Sequence, residues 1–194
     1  MPGVLIVGAS QAGAQLAASL RELGETGPIT MVGAEPHLPY QRPPLSKAFL
    51  SGKAEADQLL LRSAAYYAER GIDVVTGERI ERIDLGDAGG RAVGASGRGF
   101  DFDRLALTVG GAPRRLPVPG ADLGNVFYLR DLAGATLLRA SLARAENVVV
   151  VGGGFIGLEA AAVARTLGKR VTVVEALDRL MARAVAPGVS QFYR

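Results

Sequence analysis

The chain has 194 residues, of which 48% are hydrophobic and 21% charged, so it is globular and long enough for one large domain or parts of two. It contains no cysteine and one histidine, His37, so disulfides, thiolate ligands and histidine clusters are excluded within it and no metal site is predicted. The net charge is +3 and the arginines are scattered, which argues against a nucleic-acid surface. No apolar run is long enough for a membrane span and the start has no signal pattern, so a cytoplasmic location is expected.

The chain opens on a pattern that occurs twice. VLIVGASQAGAQLAASLRELG at residues 4–24 matches VVVVGGGFIGLEAAAVARTLG at residues 148–168. Each copy predicts a buried parallel strand, a glycine-rich turn and a helix that ends at a glycine, and a second strand follows (ITMVG or VTVVE). Two such βαβ openings predict an α/β fold with two Rossmann-like units, the second incomplete. The helices are indicated by apolar residues at helical spacing, which are Leu16, Leu20 and Leu23 in the first and Ile156, Ala160, Val163 and Leu167 in the second.

The second glycine turn has the full G-x-G-x-x-G spacing, at Gly152, Gly154 and Gly157. The first glycine permits the tight turn, the second lets a pyrophosphate approach the backbone, and the third lets helix and strand pack closely. Glu175 ends the following strand, where a carboxylate accepts hydrogen bonds from a ribose diol and repels a 2′-phosphate. The pattern therefore predicts a dinucleotide site that prefers NADH to NADPH.

The first glycine turn departs from this pattern. It has Gly8, Ser10 and Gly13, with serine in the middle position. Ala34 stands where the strand-end acid is expected, and Glu35 follows one residue later. Either Glu35 reaches a ribose from this later position or that contact is lost.

The segment between the repeats predicts further sheet structure. PYQRPPLSK at residues 39–47 is rich in proline, so it cannot be the interior of a strand. AAYYAERG predicts a helix and IDVVTG a core strand, and the glycine-punctuated stretch after them predicts a small antiparallel excursion that returns to the sheet at residues 105–109. APRRLPVPGADLG predicts a linker.

Four segments resemble the FAD-dependent NADH:ferredoxin reductases of bacterial oxygenase systems, whose relatives include apoptosis-inducing factor. They are RPPLSK at residues 42–47, YLR at 128–130, GGGFIGLE at 152–159 and VVEALDRLMAR at 173–183. The resemblance covers essentially the whole chain. It implies the three-layer ββα/βαβ sandwich of FAD/NAD(P)-binding proteins, with part of an FAD domain at residues 1–112 and a linker with half of an NAD domain at 113–194.

The resemblance also implies roles for individual residues. Lys47 would approach the isoalloxazine ring and Glu159 would pair with it from the first turn of the NAD helix, and these two are the predicted catalytic residues. Arg42 would contact the adenosine side of FAD, the backbone of Ile80 would meet the adenine, and Arg130 would reach the flavin cofactor. The threonine that the family has at the end of a core strand is Val109 here, so its hydroxyl is lost. The full predicted set for FAD and NADH is Gly8, Ser10, Gln11, Ala12, Gly13, Ala34, Glu35, Arg42, Lys47, Ile80, Val109, Gly110, Arg130, Gly152, Gly153, Gly154, Phe155, Ile156, Gly157, Glu175 and Arg183.

The function that the resemblance implies is electron transfer from NADH through FAD to a [2Fe–2S] ferredoxin, which serves a monooxygenase or an aromatic-ring dioxygenase. The family pattern continues with the rest of the NAD domain, a returning half of the FAD domain and an interface domain. The disulfide reductases share this plan, but the absence of cysteine excludes them. An NADH-sensing flavoprotein and a non-catalytic fragment remain as alternatives, and formation of a homodimer is left open.

Overall fold

The computed structural model describes residues 2–193, which form two compact units. The first unit extends to Gln41 and resumes at Leu59–Ala112, and the second consists of Arg42–Gln58 and the chain from Pro113 onward. The RPPLSK segment therefore belongs to the second unit, whereas a simple division after residue 112 would place it in the first unit. The assignment of residues 1–112 to FAD and 113–194 to NAD stays a prediction.

The first unit is built on a six-stranded sheet in the order β3-β2-β1-β6-β5-β4. Its parallel part contains β1 (Gly3–Val7), β2 (Ile29–Val32) and β3 (Ile72–Val75), with helices α1 (Gln11–Glu22) and α2 (Ala64–Glu69) between them. Its antiparallel part contains β4 (Ile80–Gly86), β5 (Gly89–Gly94) and β6 (Gly99–Leu107). Strand β6 pairs antiparallel with β5 and parallel with β1, so it joins both parts into one sheet.

The predicted return strand at residues 105–109 is wrong in its extent. Strand β6 already begins at Gly99 and ends at Leu107, which leaves Val109 outside it. The reason is that Phe100 and Phe102 alternate inward and carry the same strand from the excursion into the main sheet. The predicted excursion is therefore part of the six-stranded sheet.

The core of the first unit lies on both faces of β1. Val4 and Ile6 pack against Ala17 of α1 and Tyr67 of α2. On the opposite face, Leu5, Val7 and Val32 pack against Ala92, Phe100 and Phe102. Burial on both faces explains why β1 is a continuous apolar run, and the resulting ββα layering confirms the predicted fold class.

The second unit contains a parallel pair of strands, β7 (Asn147–Val151) and β8 (Arg170–Val174). Helix α4 (Phe155–Thr166) connects them, α3 (Leu132–Arg144) precedes them and α5 (Pro187–Phe192) follows. Short 3₁₀ turns occupy Pro43–Ser46 and Ala56–Leu59. Leu50, Leu142 and Ala164 form its buried cluster. Within residues 2–193, no helix combines the length and the apolar composition that a membrane span requires.

The two repeat helices end as predicted, and most of their regularly spaced apolar residues pack against the core. Gly24 and Gly168 follow them with φ of +90° and +79°. Leu16, Leu20, Ala160 and Val163 pack against buried clusters, whereas Ile156 and the two C-cap residues Leu23 and Leu167 are exposed. The fully buried residues are small, because small side chains let a helix lie close to its sheet; they are Gly13, Ala14, Ala17 and Ala18 in α1 and Ala161 and Ala164 in α4.

The guanidinium of Arg21 ties the end of α1 to the turn before β3. It donates hydrogen bonds of 2.6–2.8 Å to the carbonyl oxygens of Glu25, Gly27, Arg70 and Gly71. We expect Arg21→Met to lower the free energy of unfolding by about 2–4 kcal/mol, since charge-assisted bonds are lost and the carbonyl groups lose their partner. Urea unfolding measures this, and Arg62→Met is the matched control because the Arg62 guanidinium donates to the carbonyl of its own neighbour Leu61 and ties no distant segments together. Equal stability of the two variants would contradict the role given to Arg21.

Candidate functional site

The three glycines of the second glycine turn have different structural roles. Gly152 has φ of +111°, which favours glycine, and its N–H donates to the carbonyl of Val174 at 2.8 Å. A Cβ on Gly157 would overlap the carbonyl oxygen of Gly152. Gly154 has an ordinary φ of −84°, and a Cβ there would meet no atom of the chain within 4 Å. The chain's own packing therefore explains two of the glycines, and the open space at Gly154 fits the approach of a pyrophosphate.

The carboxylate of Glu175 lies directly at this turn. It accepts hydrogen bonds from the N–H of Gly153 at 2.7 Å and from the N–H of Leu177 at 2.9 Å. The bonds from Leu177 and Gly153, with a smaller effect of the Arg183 charge, hold the pKa of Glu175 below its ordinary value. Glu175 is therefore ionised at neutral pH beside the turn where a ribose would bind, and Arg183 is exposed nearby.

An open cavity of about 380 Å³ lies beside Glu175. Sequence reasoning assigned no site role to its other lining residues, although all but Tyr193 lie in the segments GGGFIGLE and VVEALDRLMAR. They are Leu158, Val173, Leu177, Asp178, Arg179, Leu180 and Tyr193. Phe155 and Ile156, at the start of α4, are more than half exposed. Their predicted contact with NADH stays a prediction.

The first glycine turn has nearly the same backbone geometry as the second. Gly8 has φ of +117°, and a Cβ on Gly13 would overlap the carbonyl oxygen of Gly8. Ser10 precedes α1 in an extended conformation and its hydroxyl makes no capping bond to the helix. Gln11 and Ala12 follow as exposed residues of the first turn of α1. The free helix N–H groups and the Ser10 hydroxyl fit a phosphate group.

Sequence reasoning missed Thr108, which fixes this first turn. Its Oγ1 donates to the carbonyl of Gly8 at 2.8 Å, and its N–H donates to the carbonyl of Val7 at the same distance. Val109 and Gly110 follow as exposed residues, and Gly110 has φ of +67°. Val109 has no hydroxyl, but the preceding residue, Thr108, has one, and it contacts the first glycine turn.

The other predicted positions of the first unit lie around the ends of its strands. Ala34 is exposed, whereas Glu35 is half-buried and accepts a hydrogen bond from the hydroxyl of Tyr40 at 2.5 Å. Ile80 begins β4 and packs against the cluster of Leu5 and Val7. The contacts proposed for these residues with adenosine stay predictions.

The RPPLSK segment and α4 bring the two predicted catalytic residues together. Lys47 Nζ lies 2.8 Å from Glu159 Oε2, and their side chains are 51% and 31% exposed. The prediction that Glu159 lies in the first turn of the helix is wrong, because α4 begins at Phe155 and Glu159 opens the next turn. A further donor, the hydroxyl of Ser46, lies 2.6 Å from the same carboxylate oxygen. Burial raises the pKa of Glu159, but the bonds from Lys47 and Ser46 outweigh this and hold it below the ordinary value.

Arg42 and Arg130 are also neighbours within the second unit. Arg42 Nη1 donates to the backbone carbonyl of Arg130 at 2.8 Å. The glycine turn at Gly8 belongs to the first unit, so the predicted convergence of these arginines and that turn on one FAD stays a prediction.

Two Rossmann-type turns, each with a third glycine packed on the carbonyl of the first, define the chain as a protein with two dinucleotide-binding units. The sequence matches the family model of the pyridine nucleotide-disulphide oxidoreductases over residues 2–194, and the chain belongs to this family. The absence of cysteine means that its own residues carry no disulfide chemistry.

The chain is similar to reductases of oxygenase systems. Rhodocoxin reductase of Rhodococcus erythropolis is 45% identical over 190 residues, which are 98% of this chain and 44% of that protein. The ferredoxin–NAD(+) reductase component of the p-cumate 2,3-dioxygenase system of Pseudomonas putida is 44% identical over 189 residues, 97% of this chain and 46% of that protein. The covalent putidaredoxin reductase–putidaredoxin complex matches with a TM-score of 0.92 and 40% identity, over 99% of this chain and 46% of that chain.

These matches confirm the predicted family resemblance and the fold class. The chain spans somewhat less than half the length of these relatives.

Proposed function

We propose that this chain provides the first FAD-binding part and the NADH-binding turn of a flavoprotein that passes electrons from NADH to an iron–sulfur ferredoxin of an oxygenase system. The observation that carries the proposal is the presence of two nucleotide turns in one chain that is 44–45% identical to such reductases over nearly all its length. We further propose that the partner is a [2Fe–2S] ferredoxin and that the protein is cytoplasmic. Whether the protein forms a homodimer is a separate question for experiment.

The chain's own residues would bind and orient the two nucleotides. Gly8, Ser10 and Gly13 would hold the FAD pyrophosphate at the N-terminus of α1, and the turn at Gly154 would hold that of NADH. The Glu175 carboxylate would accept hydrogen bonds from the NADH ribose and disfavour a 2′-phosphate. When bound, FAD supplies the chemistry that connects a two-electron donor with a one-electron acceptor.

Lys47 would supply a positive charge at the flavin ring. Its side chain is half exposed and its ammonium is paired with Glu159, so we expect it to be available to a ligand. A cation beside the ring favours the reduced, anionic flavin, and its effect grows where water is excluded. The role of Lys47 and Glu159 is thus electrostatic, and no side-chain nucleophile is required.

The proposal is tested with the purified full-length reductase that carries this chain. We expect the visible absorption of bound oxidised flavin, its loss on anaerobic addition of NADH, and reduction of an added [2Fe–2S] ferredoxin. Flavin that is reduced by NADH but does not reduce any ferredoxin would favour the NADH-sensing alternative. A protein without flavin absorption after supply of FAD would contradict the proposal.

We expect Lys47→Met to retain FAD but to slow flavin reduction by NADH about tenfold or more, because one charge favouring the reduced ring is removed. The flavin midpoint potential should become more negative. Stopped-flow reduction and spectroelectrochemical titration measure the two effects. Lys53→Met is the matched control, since this exposed lysine lies in the same segment away from Glu159. Unaltered reduction in Lys47→Met would make Lys47 a surface residue.

A further inference from the structure

Ser46 is a buried polar residue with no role in the function described above. It is 4% exposed, and among the described residues only Ser190 is also a buried polar side chain. The Ser46 hydroxyl lies 2.6 Å from Glu159 Oε2 and 3.4 Å from the carbonyl of Pro43. A hydroxyl has one proton, and the shorter distance to a charged acceptor shows that it goes to Glu159.

Ser46 and Lys47 are consecutive, yet both reach the same oxygen. The 3₁₀ turn ends at Ser46, and the backbone of Lys47 leaves it with φ of −124° and ψ of −104°. This break allows both side chains to point toward Glu159 Oε2, at 2.6 Å from Ser46 and 2.8 Å from Lys47. The oxygen thus has one buried, fixed donor and one exposed, charged donor.

A fixed donor matters because the ion pair alone is poorly constrained. Lys47 has a flexible stem and is 51% exposed, and pairs this exposed are weak and adopt many geometries. The segment under Ser46 is firm, since Leu45, Phe49 and Leu50 are buried on either side of it.

We propose that Ser46 is a positioning residue, whose hydroxyl fixes Glu159 Oε2 at the place where it holds the Lys47 ammonium. The inference rests on the proposed function, in which Lys47 faces the flavin. Ser46 acts through Glu159 and has no contact with the cofactor to make. Lys47 is the charged side chain that the described structure gives Glu159 as a partner.

The test compares Ser46→Ala, Ser46→Thr and the control Ser51→Ala in the full-length flavoprotein. Ser51 lies in the same segment, and its hydroxyl bonds to the carbonyl of Ala48. The first readout is the pKa of Glu159, followed by NMR of ¹³C-labelled glutamate and assigned from the resonance missing in Glu159→Gln. The second readout is the rate of flavin reduction by NADH.

We expect Ser46→Ala to raise the pKa of Glu159 and to slow flavin reduction about three- to tenfold, which is less than a full hydrogen bond to a charge because Ser46 acts only through Glu159. Ser46→Thr should restore both values, and Ser51→Ala should change neither. An unchanged Glu159 pKa in Ser46→Ala, or a threonine variant as impaired as the alanine variant, would overturn the inference. If Ser46→Ala does not fold, Ser46→Cys replaces it, with the same expectations.

Lys47→Met separates this inference from the proposed function. Slow reduction in Lys47→Met with normal values in Ser46→Ala would overturn the role of Ser46 alone. Normal reduction in Lys47→Met would overturn the proposed role of the ion pair, whatever Ser46 does to the pKa of Glu159.

Discussion

Gly157→Ala is expected to damage the second unit severely. The added Cβ would overlap the carbonyl oxygen of Gly152, which is backbone and cannot swing aside. Overpacking of this kind costs about 3 kcal/mol, at the upper end of such substitutions, because helix and strand must separate. Urea unfolding would measure the lost stability, and NADH titration should show no binding. If the Gly157→Ala variant were as stable as the wild type, the helix and the turn would have room to move apart without loss of stability.

Gly154→Ala is the matched control within the same turn. It should weaken NADH binding without lowering the free energy of unfolding. Its φ of −84° suits alanine, and the new Cβ would meet no chain atom within 4 Å. We expect stability to stay equal or to rise by about 0.4–1 kcal/mol, since alanine restricts the unfolded chain. NADH affinity should nevertheless fall about tenfold or more, because the methyl occupies the space where the phosphates would approach. Unchanged affinity would show that the nucleotide does not come near this glycine.

Glu175→Ala combined with Ala176→Arg is expected to shift nucleotide preference toward NADPH. The change removes the carboxylate that would bind the ribose and adds a cation for the 2′-phosphate. The ratio of kcat/KM for NADH to that for NADPH should fall roughly 10- to 100-fold, which corresponds to about 1–3 kcal/mol. An unchanged ratio would show that Glu175 is not the discriminator.

Glu175→Gln is the control for the structural part of this effect. Glu175 also accepts hydrogen bonds from the N–H groups of Gly153 and Leu177, which alanine would leave without an acceptor. Glutamine keeps one acceptor oxygen and loses the charge. The two N–H groups bond different carboxylate oxygens, so one of them would face the glutamine NH₂. We expect Glu175→Gln to lose less stability than Glu175→Ala and to lose part of the preference for NADH. A preference equal to that of the wild type in Glu175→Gln would assign discrimination to shape and not to charge.

The glycine turns and their strands could be predicted because local chemistry determines them. A positive φ at Gly8 and Gly152, and the lack of room for a Cβ at Gly13 and Gly157, follow from the strand–turn–helix geometry alone. The proximity of Lys47 and Glu159 could be expected only from the family resemblance. Their contact spans 112 residues, and no local pattern specifies it.

The parts that could not be predicted depend on partners distant in sequence. Leu23 and Leu167 follow the same helical spacing as the packed leucines Leu16 and Leu20, but both are C-cap residues and are exposed. Ser46 stood inside a recognised motif, but only the position of Glu159 explains its hydroxyl. Thr108 could have been noticed as a hydroxyl at the end of a core strand, although its partner Gly8 lies 100 residues earlier.

The inclusion of Arg42–Gln58 in the second unit has a consequence for how that unit folds. Its core joins Leu50 to Leu142 and Ala164, so it cannot close until residue 164 has been synthesised. Until then the segment presents Leu45, Phe49 and Leu50 without their partners, a condition that invites chaperones or proteases. Contacts so distant in sequence also form slowly, because loop closure precedes any gain from packing. Docking of this segment is therefore expected to be a late step, and a fragment beginning at Pro113 would lack a part of its own core.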